Sequence, residues 1–165
     1  MATLLDLARE GALLKFDPLL EHPQQELRMF HAGPKLVSWI QNDLPKLESN
    51  WKIEQRPDEQ LDDLLQLFCS GEPLIVGWQF KSLVHLADGV WELKTPDLRI
   101  FGWFHRKDCF IGVIADTAER TKTYKLYAGY ARVEVAKFRD GLDLDEPKFV
   151  PGADPHDVVS NCYFP

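Results

Sequence analysis

Between Lys81 and Tyr127 the chain gathers the side chains best suited to holding a phosphate: Lys81, Lys94, Arg99, Arg106, Lys107, Arg120, Lys122 and Lys125, with Tyr124 and Tyr127 interleaved at the end. Clustered cations neutralise phosphate charge, and aromatic rings set among them stack on unpaired bases. In "LRIFGWFH" (98–105) strand alternation puts Arg99, Phe101, Trp103 and His105 on one face and Leu98, Ile100, Gly102 and Phe104 on the other. That first face has two readings. Arg99 with Phe101 and Trp103 forms an RNA-facing surface, or Phe101 and Trp103 are core beneath a helix while Arg99 reaches solvent from the strand entrance. Lys81 and His85 stand one turn apart if their segment is helical; both are then placed to contact phosphate, with His85 able to exchange a proton near neutral pH. The alternative is a solvated lysine and a half-buried histidine. The densest group is Arg120, Lys122, Tyr124, Lys125 and Tyr127, which reads either as a phosphate-binding cluster or as a helix start with tyrosines inward and lysines outward.

Other chemistries find no pattern to stand on. The histidines at 22, 31, 85, 105 and 156 have no HExxH or Cys/His ligand spacing, and neither a Gly-rich phosphate loop nor a GxSxG elbow occurs, so no metal or cofactor is expected. Cys69, Cys109 and Cys162 form no CxxC pair, and their odd number and wide spacing fit a reduced, cytoplasmic protein. Asp6 and Glu10 interrupt the apolar pattern of residues 1–11, which argues against a signal peptide, and the longest apolar runs are far shorter than a membrane span.

Charge is unevenly distributed. The net value is −7, which alone disfavours nucleic acid as a partner. Residues 1–76 hold seven basic against thirteen acidic side chains, 77–139 eleven against seven, and 140–165 one against six. The acid lies at the two ends, and the middle is basic.

At 165 residues, 45% apolar, the chain is long enough for one domain with a substantial core. A short helix is expected within 2–21, a first strand at 26–33 broken by Gly33-Pro34, and an amphipathic helix from Pro34 to near Pro45. A second helix is expected over 56–71, capped by Asp58 or a neighbour and stopped by Gly71. Strands at 89–95, 98–105 and 108–115 then form an antiparallel meander. A final helix over 119–139 and an irregular acidic tail, lying on the surface or partly mobile, complete an α+β order with one N-terminal strand and a three-strand meander in a small antiparallel sheet.

This order, together with "KSLVHLADGVWELKTPDLRIFGWF" (81–104), resembles the RelE/HigB superfamily of type II toxins, phage-derived HigB-like proteins most of all. The family phrase is met by Lys81, Leu83, Gly89, Val90, Trp91, Glu92, Leu93 and Lys94, then Leu98-Arg99-Ile100-Phe101, and continues through "FIGVIADTAERTK" (110–122). The resemblance covers roughly 26–139. It implies a RelE-like domain there, with a helical extension at 1–25 and an acidic tail at 140–165. Where the family commonly has Arg after Trp-Glu-Leu, Lys94 keeps the charge and loses the bidentate fork. The implied activity is metal-independent cleavage of ribosome-bound mRNA, a ribose 2′-hydroxyl attacking the neighbouring phosphate, with a cognate antitoxin as protein partner. Carried onto this chain, Arg99, Lys122, Arg120, Lys94 and Tyr127 are the catalytic candidates, and Lys81, His85, Trp103, Lys125 and Tyr124 the RNA-binding ones. The competing reading is a catalytically inactive RelE-fold binding module, phage- or prophage-derived, whose acidic ends dock basic partners. A third combines them, the tail lying over the basic sheet as an internal RNA mimic.

Overall fold

The computed structural model describes all residues, 1–165. Its centre is the meander: β5 (Val90–Lys94), β6 (Leu98–Arg106) and β7 (Cys109–Thr117), joined by short turns and paired antiparallel. Around it are β1 (Leu14–Lys15), β2 (Met29–Ala32) and β4 (Phe80–Ser82), giving a six-stranded sheet in the order β1-β2-β7-β6-β5-β4. A second, two-stranded sheet pairs β3 (Leu74–Ile75) with β8 (Cys162–Tyr163).

The main sheet is therefore larger than the small antiparallel one expected, and it is mixed, because β2 runs parallel to β7. Two helices separate β2 from the meander, and a crossover of that length returns a strand in either direction, whereas a hairpin cannot. Strands β1 and β4, two and three residues long, are too short for alternation to reveal.

Alternation gives the sheet two different faces. One carries Trp91, Leu93, Ile100, Phe104 and Phe110 and packs under α2 (Pro34–Asn42) and α3 (Pro57–Cys69) through Leu36, Leu61, Leu65 and Phe68. The other carries Val90, Phe101, Trp103, Ile111 and Val113 beneath Ala131 and Val135. Those two belong to a long helix over 127–141, whose middle, Tyr130–Ala136, is wound as a π-helix. Gly102 sits where β6 and β7 shift register; a Cβ there would lie 2.0 Å from the Ile111 carbonyl oxygen.

Several local expectations change. Helix α1 is only Leu4–Glu10, ended by Gly11 in the left-handed region at φ 81°; Leu7 and Leu13 are buried, so this segment is built into the second core. The cap of α3 is Arg56 and not Asp58; Asp58 and Glu59 occupy its first turn, where the helix dipole favours acid. The expected helix over 119–139 is two: α4 (Ala118–Thr123) ends at Tyr124-Lys125, with Lys125 at φ 53°. Lys81 lies on β4 and His85 in the following turn, so they do not share a helix face. The acidic tail is irregular as expected, yet anchored: Leu144, Val158 and Val159 are buried and β8 closes the small sheet. No helix is long and apolar enough to cross a membrane.

Candidate functional site

Charge appears on the second face at one end of the strands. Where β5 turns into β6, register sets Lys81 opposite Glu92, Lys94 opposite Arg99, and Arg99 opposite Asp116. Cross-strand neighbours and their diagonals are within side-chain reach. These residues therefore form one patch, into which Tyr127 descends from the start of the long helix with its ring edge-on to Phe101 at 5.7 Å. Lys122 joins it from the last turn of α4, close enough to disfavour charge on Lys94.

At the bottom of the patch lies Glu92, only 2% exposed. Burial raises its pKa above the ordinary glutamate value, while Arg99, Lys94, Lys81 and Tyr127 pull the other way. Its Oε2 is buried without a hydrogen-bond partner. Arg99, 6% exposed, gives Nη1 to the carbonyls of Thr95 at 2.7 Å and Leu98 at 2.8 Å, but its Nε is also buried and unpartnered. A structural ion pair would satisfy both. Instead Tyr127 hydrogen-bonds to both the Glu92 carboxyl and the Arg99 guanidinium, and Glu92 Oε2 and Arg99 Nε are left without a partner of their own. Burial, with Glu92 second, raises the pKa of Tyr127. Burial also lowers the pKa of Lys94, with Arg99 the next cause; its ammonium donates to the Gly77 carbonyl at 2.8 Å.

The structure thus brings together Arg99, Lys94, Lys122, Tyr127 and Lys81. Arg120 lies one strand further along and is committed: its Nε donates to Asp116 at 3.1 Å, and its guanidinium rests over the Tyr124 ring at 5.3 Å. The Tyr130 hydroxyl donates to the same Asp116 oxygen at 2.6 Å; burial, and then that bond, push it up to about 12. Tyr124 and Lys125 are exposed at the helix break.

Two candidates lie elsewhere. Trp103 is fully buried, its Nε1 donating to the Lys148 carbonyl at 2.9 Å, so it is core and cannot stack on RNA. His85 is exposed in the β4–β5 link, near the Val90 end of β5 and away from Lys94. The tail is attached at that same far end. Val150 N–H donates to the Phe104 carbonyl at 2.9 Å and Arg106 Nη1 to the Pro147 carbonyl at 2.6 Å. It therefore does not lie over the cationic patch as an RNA mimic.

Glu92 was missed as a site residue. Its signal was present in "GVWELK": Trp91 and Leu93 take one face, which leaves Glu92 beside Lys94 on the face of Arg99. A carboxylate lying among lysines and an arginine on a half-apolar sheet can accept a proton, while the cations hold an anion against it. Comparison with protein-family models, curated proteins and solved structures finds no match to this chain.

Proposed function

We propose that this protein is a metal-independent endoribonuclease of the RelE/HigB type, cleaving mRNA on the ribosome in the cytoplasm and held in check by a cognate antitoxin. The observation that carries the reading is Glu92, a buried carboxylate with raised proton affinity and an unpartnered oxygen, ringed by Arg99, Lys94 and Lys81, with Lys122 beyond Lys94. The supporting order of elements, a strand, two helices, then a meander whose last strand pairs parallel with the first, is consistent with the RelE-like fold that the strand phrase suggests.

In this reading Glu92 takes the proton of a ribose 2′-hydroxyl as its oxygen attacks the adjacent phosphorus. Raised proton affinity makes Glu92 a stronger base than an exposed glutamate. Arg99 and Lys122 stabilise the charge that builds on the phosphate oxygens. The P–O5′ bond breaks, and the leaving oxygen takes a proton from Lys94, whose lowered pKa suits it as a donor. The products are a 2′,3′-cyclic phosphate and a 5′-hydroxyl. Tyr127 orients Glu92 and Arg99 from above and shields them from water.

The test is induced expression in a bacterial host, with growth and mRNA integrity scored for the wild type, Glu92→Gln and Arg99→Ala. Arrest with mRNA cleavage that both substitutions relieve supports the reading. Normal growth and intact mRNA with soluble wild-type protein would instead favour the inactive binding module, for which the acidic row Asp58, Glu59, Asp62 and Asp63 on α3 offers a docking face.

A further inference from the structure

Beside the cationic patch, over the edge of β4, a cleft of about 320 Å3 opens between the turn before β4 and helix α3. Trp78 stands on one wall, 65% exposed. Leu64 and Leu67 line the helix side, Gln55 and Asp63 the rim, and Lys94 the end nearest the patch. What sets Trp78 apart from the equally exposed Trp51 is that its indole walls a cleft that also holds Lys94.

The turn that carries Trp78 is held firmly. Gly77 takes φ 87°, the N–H groups of Trp78 and Gln79 both donate to the Ile75 carbonyl, at 3.2 and 2.9 Å, and the Gln79 side-chain oxygen accepts from Ile75 N–H at 2.7 Å. The Lys94 ammonium closes it by donating to the Gly77 carbonyl at 2.8 Å. Lys94 therefore belongs to two places, neighbour of Arg99 in the patch and tether of the Trp78 turn. The cleft therefore adjoins the patch through Lys94, which lines the one and is paired in register with Arg99 in the other.

We propose that this cleft is a nucleobase subsite, which stacks a base of the bound RNA on Trp78 and reads its edge with Asp63. The inference rests on the endoribonuclease reading and adds its specificity. The Asp63 carboxylate, which lines the cleft, accepts one hydrogen bond from Gln55 at Oδ2, leaving Oδ1 as a second acceptor. A carboxylate accepts from ring N–H and exocyclic amino groups and repels carbonyl oxygens. Guanine, with adjacent N1–H and N2–H donors and a purine's stacking area, is preferred; adenine and cytosine follow, and uracil is last.

Binding of 2′-O-methyl oligouridylates carrying one guanosine, adenosine or cytidine at successive positions tests this without cleavage, since the nucleophile is blocked. Wild-type protein binds a guanosine-containing oligomer roughly tenfold more tightly than oligouridylate at one position. Trp78→Ala loses about that factor, in line with a stacking contribution, while Trp78→Phe retains most of it. Asp63→Asn keeps the affinity but narrows the gap between guanosine and uridine. Equal affinities for wild type and Trp78→Ala, in a variant whose Tm is unchanged, overturn the subsite even if unblocked RNA is cleaved. A Trp78-dependent preference, with mRNA on programmed ribosomes left intact by the same wild-type protein, upholds the subsite and overturns the endoribonuclease reading instead.

Discussion

The second face of the sheet has two ends built from the same three strands to opposite purposes. At the Val90, Trp103 and Ile111 end, aromatic and branched side chains interlock beneath the long helix, and the tail seals the rim by donating and accepting backbone hydrogen bonds. At the Lys94, Arg99 and Asp116 end the same strands present charge, and two buried polar atoms stay unpartnered. The first arrangement is what folding stability favours. The second costs desolvation, and it is the one place where an unpartnered buried acceptor and an unpartnered buried donor stand in the same charged patch.

Changes at the two ends should therefore separate activity from stability. Glu92→Gln is the sharpest. It keeps the shape and removes the base, so cleavage should fall by about 10^2 to 10^4. Because the folded-state pKa of Glu92 lies above its unfolded value, the folded protein binds the proton more tightly, and stability is lost as pH rises through that window. Glu92→Gln should thus unfold at a higher temperature than wild type at neutral pH and flatten this part of the pH dependence, as a thermal scan against pH would show. A destabilised Glu92→Gln would mean that the carboxylate is structural.

Trp103→Ala probes the sealed end. It should cost about 3–5 kcal/mol of stability, the usual penalty for emptying a large aromatic site, measured by denaturant unfolding. Trp103→Phe should recover much of that and cleave at the wild-type rate. If Trp103→Phe abolished cleavage while folding normally, the division between the ends would fail.

Within the charged end, Lys122 and Arg120 differ by pairing. Lys122→Ala should slow cleavage roughly tenfold, an increment of about 1.4 kcal/mol in barrier. Arg120→Ala, whose cation is already committed to Asp116, should change cleavage by less and show mainly as a small loss of stability. The reverse ranking would move the centre of the site towards Asp116 and Tyr130.

The smallest effect concerns His31, buried on β2, whose pKa falls from 6.5 to about 4, first through burial and then through Lys15. The unfolded chain binds a proton between those values and the folded chain does not, so stability should fall as pH drops from 6.5 towards 4. His31→Gln should reduce that slope, whereas cleavage near neutral pH should not respond.

Much of the meander was legible because alternation over β5 and β6 is regular and Thr95-Pro96-Asp97 is strong turn chemistry. The cationic cluster was legible for the same reason: Lys94, Arg99 and Lys122 were selected by charge, and the folding of α4 beside the strands brings them together. What was not legible is set by distant parts of the chain. Trp103 and Arg99 share a strand face, and only the tail's Lys148 carbonyl and the long helix decide that one lies in an apolar core and the other in a charged patch. The parallel pairing of β2 depends on a crossover through two helices. Lys125 at φ 53° divides a helix that periodicity alone would run through. Glu92 does not stand out by sign of charge within a cationic stretch, because what distinguishes it is burial, set by the helix and strands packed around it.

The most direct test of the central claim, that the charged end of the sheet is a ribonuclease centre with Glu92 as its base, is to strip the purified protein of metal with a chelator, incubate it with mRNA-programmed ribosomes in their magnesium buffer and identify the RNA termini. The account predicts 2′,3′-cyclic phosphate and 5′-hydroxyl ends from the wild type and none from a folded Glu92→Gln variant. Intact RNA with the wild type, or the same ends from Glu92→Gln at an equal rate, would contradict it.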